Sequence, residues 1–191
     1  VATVVKGDFR DVHGQFPQVD FTYGEPPWDA TMEAFYRRMA LCYDTQTRGL
    51  PAPPEIDFDA WIDEYVTVCK AHADLHFTVF GTAYKQTFYD ALTRAGQNLS
   101  HTREWPIQWH SLNPDPMVLI CWGKPPLPNP NVVPADWVNS FASGIGAGKT
   151  CFDLTFGYGE AAEKMEAHGI TVYGCDIQQR RIQEYLDRVG V

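Results

Sequence analysis

Asp153-Leu154-Thr155-Phe156-Gly157-Tyr158-Gly159 closes a β-rich run that starts at Thr150 and opens a helical stretch that ends near His168. The two glycines let the backbone turn tightly and let a ligand approach the start of the helix. The next β-rich run, Ile170–Cys175, leads into Asp176, 17 residues after Gly159. A carboxylate at such a strand end can accept hydrogen bonds from both hydroxyls of a ribose. An ordinary Gly-rich β–α turn, with an aspartate capping the next helix, leaves a similar string. The strand–turn–helix context and the acidic strand end together favour a nucleoside-containing cofactor. NAD competes, because Gly157-Tyr158-Gly159-Glu160-Ala161-Ala162 also fits G-x-G-x-x-A. Against NAD, no second mononucleotide half follows this unit, and Asp153 sits in the strand itself, four residues before Gly157.

Outward from this unit, β-rich runs alternate with helical stripes. Ala2–Lys6, Val19–Tyr23, Leu75–Phe80, Glu104–Trp109 and Met117–Trp122 read as strands. With Thr150–Thr155 and Ile170–Cys175 they make seven. Only the turn-rich His110–Pro116 parts the fourth from the fifth, so those two should form an antiparallel hairpin. Helical spacing marks Met32–Tyr43, Ala83–Ala95, Ala135–Ala142, Gly159–His168 and Ile177–Val189. Asp57 is the expected N-cap of a further helix with the stripe Phe58, Trp61, Ile62, Tyr65, Val66 and Cys69. The expectation is an α/β fold: a Rossmann-like, mostly parallel seven-stranded sheet with one antiparallel hairpin and helices on both faces. Residues 1–191 read as a single domain. Gly123–Pro134, with five prolines, is the connector between its two halves.

The composition suits a soluble globule: 191 residues, 45% hydrophobic and 20% charged. Fifteen Lys+Arg against 24 Asp+Glu give a net charge of −9, which argues against holding nucleic acid by electrostatics alone. Five cysteines, an odd number without C-x-x-C spacing, read as reduced and mostly buried. The longest apolar run, Met117–Trp122, is too short to span a bilayer. The acidic early residues Asp8, Asp11 and Asp20 do not suit a signal peptide, so the expected location is cytoplasmic, with no membrane partner.

A second motif, Tyr23-Gly24-Glu25-Pro26-Pro27-Trp28, ends the second strand. Its prolines stiffen the chain and remove two N–H donors, leaving carbonyls free to accept. An exocyclic amine could be held between the Glu25 carboxylate and a backbone carbonyl while its ring stacks on Trp28. Taken alone, the motif is better explained as a turn after a strand with a tryptophan packed on the core.

Together the two motifs resemble the DNA and RNA amino-methyltransferases that use S-adenosylmethionine (SAM). In that family's permuted order, D/N-P-P-Y/F/W comes first and D-P-F-x-G-x-G comes late. Glu25-Pro26-Pro27-Trp28 takes the first place; Asp153, Gly157 and Gly159 keep three positions of the second. Lys6-Gly7-Asp8 resembles the family's Gly-Asp after an early strand, whose aspartate approaches adenine. Trp105-Pro106-Ile107-Gln108-Trp109-His110 looks like its W-P-I-x-W-x strand, and the stretch after Val133-Pro134 resembles the segment at the methionine end. The resemblance implies SAM-dependent methylation of an exocyclic amine, adenine N6 or cytosine N4, and hence DNA modification or its RNA counterpart. It assigns Glu25, Pro26, Pro27 and Trp28 to catalysis. It assigns Asp8, Asp153, Thr155, Phe156, Gly157, Gly159 and Asp176 to SAM. No metal is implied. Substrate would be DNA or RNA, reached alone or through a partner subunit, and the protein could be oligomeric.

Three departures stand out. Glu25 replaces the family's Asp/Asn; a Glu-Pro-Pro version occurs in a non-catalytic partner subunit of the RNA N6-adenine branch. Leu154-Thr155 replaces Pro-Phe. Gly123–Pro134 leaves no room for a target-recognition domain. The alternative is therefore an inactive SAM-fold subunit or SAM-binding protein in a larger complex. Asp44–Asp57, with Arg48 as its only cation, is expected at the mouth of the site as a substrate-contacting loop. Ser143–Thr150 nearly spells a Walker A loop but precedes a strand, so it reads as a turn. His72 and His76 read as surface histidines rather than zinc ligands. The prolines between 125 and 130 read as a stiff connector rather than a docking segment.

Overall fold

The computed structural model describes residues 1–44, 56–108 and 116–191. Seven strands form one sheet: β1 (Thr3–Lys6), β2 (Phe21–Gly24), β3 (Leu75–Gly81), β4 (Arg103–Ile107), β5 (Met117–Gly123), β6 (Thr150–Asp153) and β7 (Thr171–Asp176). Their order is β1-β7-β6-β2-β3-β5-β4. Neighbours from β1 to β3 run parallel, while β5 is antiparallel to both β3 and β4. The expected strands and the hairpin are thus present. β2 pairs with β6, so the sheet interleaves strands from both sides of the Pro-rich 123–134 segment.

The helices are α1 (Phe9–Val12), α2 (Ala30–Asp44), α3 (Phe58–His72), α4 (Lys85–Arg94), α5 (Trp137–Ile145), α6 (Glu160–Ala167) and α7 (Gln179–Val189). Asp57 caps α3 by accepting from the Ala60 amide at 3.1 Å. The α3 stripe Trp61, Ile62, Tyr65, Val66 and Cys69 is buried as expected. α1 is a single turn, too short for a periodic signature, and is capped by Asp8. The Walker-like stretch spans the end of α5 and the turn into β6, and so cannot act as a phosphate loop ahead of a helix.

The histidine expectation needs correction, since both are buried. His72 is 5% exposed, with Nδ1 3.1 Å from the Pro17 carbonyl and Nε2 3.2 Å from His13 Nδ1. His76 is 1% exposed, bonds Thr22 Oγ1 at 2.8 Å and lies 3.9 Å from the Trp122 ring centre. Desolvation pushes the His76 pKa down to about 3, so the ring stays neutral. Among the described residues no cluster could hold a metal ion, and no helix is long and apolar enough to cross a membrane. Cys69, Cys121, Cys151 and Cys175 are buried thiols, and burial pushes Cys69 and Cys121 up to about 12.

Candidate active site

The carboxyl ends of the parallel strands meet at a cavity of about 480 Å³. Placement follows from topology: strand-end loops of a parallel sheet gather on one edge, where ligands of α/β folds bind. β1 delivers Gly7 and Asp8, β2 leads to Glu25 and Pro27, and β6 carries Asp153 into Leu154–Tyr158. β7 contributes Cys175, Asp176 and Ile177.

Backbone bonds extend the sheet into the cofactor-type loop. Leu154 N donates to Tyr23 O and Phe156 N to Cys175 O, both at 3.0 Å. Gly157 and Gly159 have φ of +58° and +72°, a region where side chains are strained. A Cβ on Gly159 would also lie 2.5 Å from the Tyr185 ring and 2.8 Å from Phe156. Phe156 packs edge-on against Tyr185 at 4.9 Å, closing the floor of the loop. Gly159 is therefore fixed by packing as well as by turn geometry, and Gly157 by turn geometry.

Asp176 accepts from Gly157 N at 2.9 Å and from Gln178 N at 2.7 Å, with Arg181 Nη1 3.7 Å away. Burial nonetheless raises its pKa, outweighing those partners. Asp153 is 1% exposed, accepts from Thr155 N at 3.0 Å, and is held well above the usual carboxylate range by burial. Asp8 lines the cavity with its oxygens engaged by Arg10 Nε at 2.9 Å and Nη2 at 2.8 Å.

Glu25 is half-buried. Its amide donates to Thr155 Oγ1 at 2.6 Å, and its carboxylate accepts from the buried Tyr23 hydroxyl. Desolvation pushes the Glu25 pKa up to about 7, helped by Glu160 and opposed by Tyr23 and Lys164. Glu25 also borders a second cavity of about 110 Å³, lined by Gln108, Asp136, Trp137 and Lys164 among others. Pro26 is buried. Trp28 is 8% exposed, lies 6.0 Å from the Tyr84 ring, and fills the space a Cβ on Gly81 would need. It is not among the residues lining the 480 Å³ cavity.

The chain is similar throughout its length to solved structures. M1.HpyAVI superposes with a TM-score of 0.63 at 12% identity, covering 99% of either chain; its SAM complex scores 0.62 at 10% identity, covering 100% of either. The cytosine-N4-specific PvuII DNA methyltransferase scores 0.62 at 12% identity, over 98% of this chain and 87% of that one. The fold is that of the DNA amino-methyltransferases. TTHA0409 of Thermus thermophilus, assigned as a DNA modification methylase, scores 0.59 in complex with SAM at 14% identity, over 98% and 94% of the chains. No sequence-family model matches this chain, and no curated protein sequence does.

Within this methyltransferase fold, Asp8, Glu25, Pro27, Asp153, Thr155, Phe156, Gly157 and Asp176 border one cavity. Gly159 caps the helix beside it, while Pro26 and Trp28 pack behind. Sequence reasoning missed Tyr23, Glu33, Tyr36, Trp61, Glu160 and Arg181, which also line it. Signals existed for three. Tyr23 sits two residues before Glu25, hence on the same strand face. Glu33 is a carboxylate on the buried side of α2. Arg181 falls one helical turn beyond Ile177, where its guanidinium lies 5.2 Å from both the Tyr36 and Tyr158 rings. Of the expected substrate loop Asp44–Asp57, residues 45–55 lie outside the described residues, as do Trp109 and His110; Asp44 ends α2 and Asp57 caps α3.

Proposed function

We propose that the protein is a SAM-dependent methyltransferase acting on an exocyclic amine of a nucleic-acid base, adenine N6 or cytosine N4. The observation that carries this reading is that Glu25, from the Glu-Pro-Pro-Trp strand end, borders the same cavity as Asp153, Gly157 and Asp176. Among the described residues, six carboxylates line that cavity (Asp8, Glu25, Glu33, Asp153, Glu160 and Asp176) against one cation, Arg181. Even with Asp8 paired to Arg10 and Glu33 to Arg37, this lining is richer in acceptors than in donors, which suits the sulfonium, ammonium and hydroxyl groups of SAM better than the pyrophosphate of NAD. Gly157, which lines the cavity at a φ of +58°, turns the backbone beside the ligand, and Asp176 at the end of β7 is the acceptor for ribose hydroxyls.

SAM supplies an activated methyl group. Asp176 orients the ribose, and Asp8, held by Arg10 at the end of the neighbouring strand β1, accepts from the adenine amine. With cofactor and substrate bound, Glu25 and the Pro26 carbonyl would accept from the acceptor amine and orient it for transfer. An amine that accepted this methyl group would have one proton to lose. Glu25, whose pKa lies near 7, is suited to accept it.

A second reading, a SAM-binding subunit without catalysis, is favoured by the burial of Trp28 against Gly81, away from the main cavity. One experiment addresses both. DNA and RNA are incubated with methyl-labelled SAM, digested to nucleosides and separated. Label in N6-methyladenosine or N4-methylcytidine, or their deoxy forms, supports the enzyme. Bound SAM with unlabelled nucleosides supports the subunit.

A further inference from the structure

We infer that Tyr23 is a positioning residue for Glu25, the device that lets a glutamate occupy the place where the related motif carries a shorter side chain. The inference rests on the functional reading above and extends it to a residue that the family resemblance gave no role. Tyr23 and Glu25 are two apart at the end of β2, so their side chains leave the backbone on one face. The Tyr23 hydroxyl donates to Glu25 Oε1. Its ring cannot swing away, because it is 1% exposed and stacks on Phe141 at 6.0 Å and on Trp137 at 6.1 Å, both from α5.

The other end of Glu25 is held as well. Its amide donates to Thr155 Oγ1 at 2.6 Å. Thr155 stands where the related loop carries phenylalanine, so two departures from the family pattern touch one another. A glutamate has one more rotatable bond than an aspartate, and each free rotor costs entropy when a reacting geometry must be held. Anchored at its amide by Thr155 and at its carboxylate by Tyr23, Glu25 has that extra rotor frozen before substrate arrives. The groups facing the carboxylate are Tyr23 from β2, Asp153 from β6, and Glu160 and Lys164 from α6. Burial and the neighbouring carboxylates keep the Tyr23 phenol well above its ordinary pKa, so it donates throughout the working range.

The test is Tyr23→Phe, which keeps the ring and removes only the hydroxyl. The Glu25 carboxyl is titrated by carbon NMR on glutamate-labelled protein, with Glu25→Gln assigning the signal. Removing a donor from the charged form raises a carboxyl pKa, and the expected rise is about one pH unit. Single-turnover methyl transfer should fall about 10- to 100-fold at unchanged SAM affinity. In a Glu25→Asp background the shorter carboxylate no longer reaches the hydroxyl, so adding Tyr23→Phe should not lower transfer further. An unmoved Glu25 titration, or an equal Tyr23→Phe effect with Asp at position 25, overturns the inference. Those results leave the functional reading standing. If wild-type protein transfers no methyl group, the functional reading fails; the Glu25 titration then still decides whether Tyr23 holds the carboxylate.

Discussion

The two halves of the sheet face opposite demands. The β3–β5–β4 half is an uncharged core: Phe77, Val79, Phe80, Leu119, Ile120 and Trp122 are fully buried, and its buried polar groups are paired. Thr78 accepts from Trp122 Nε1 at 3.1 Å, and His76 bonds Thr22. The β1–β7–β6–β2 half ends in Asp176, Asp153 and Glu25, whose pKa values burial raises. Confining these charges costs stability, because a buried carboxylate would ionise more readily in the unfolded chain. The antiparallel half thus offsets, through packing, what the parallel half loses in maintaining an anionic cavity. Charge placement, more than shape, distinguishes the site from the rest of the core.

The largest expected effect lies in the packed half. Trp122→Ala should lower the free energy of unfolding by about 3–5 kcal/mol, measured by urea denaturation. If the loss were under about 1 kcal/mol, the division of labour between the halves would be wrong. Next comes Asp176→Ala. SAM affinity by calorimetry should drop about 10- to 100-fold, equivalent to about 1.5–3 kcal/mol for a charge-assisted hydrogen bond. Its urea midpoint should move less than that of Trp122→Ala, because relief of a buried charge offsets the lost acceptor for Gly157 and Gln178. Tighter binding of NAD than of SAM would contradict the charge argument.

The smallest effects per step are pH slopes, and the halves should give opposite signs. His76 is neutral when folded, with its pKa near 3, but gains a proton below about 6.5 when unfolded. Its contribution is complete above pH 6.5 and is lost as pH falls towards 3, at up to about 1.4 kcal/mol per pH unit. Glu25 behaves inversely. Between its ordinary pKa of 4.5 and about 7 the folded form holds the extra proton, so its contribution declines as pH rises. Urea midpoints across pH 4–7 should therefore flatten on the acid side for His76→Asn. The same series for Glu25→Gln should lose its decline near neutrality.

Most of the architecture was legible because its signals are local. Strands β1 to β7 announced themselves by β-branched and aromatic runs, and the β4–β5 hairpin by its spacing. Asp57 before a helical stripe, and the glycines after Asp153, are short-range chemistry with long-range consequences. What stayed hidden depends on contacts between segments distant in sequence. The burial of His72 and His76 follows from packing against Phe152 and Trp122, which no spacing rule encodes. The pairing of Glu25 with Thr155 joins residues 130 positions apart. Arg181 between Tyr36 and Tyr158 requires α2, α7 and the loop before α6 to converge. Trp28, read as a stacking face, instead lies against Gly81, a neighbour that only the β2–β3 pairing reveals.

The central claim is that Glu25 is a working carboxylate beside a transferable methyl group. Single-turnover transfer from labelled SAM to a mixture of DNA and RNA, by wild type and by Glu25→Gln at equal SAM saturation, addresses it most directly. The expected result is label on a base amine with wild type, lost by at least about 100-fold in Glu25→Gln while SAM binding persists. Saturated wild-type protein that leaves every base unlabelled, or a Glu25→Gln variant that transfers as well as wild type, would contradict it.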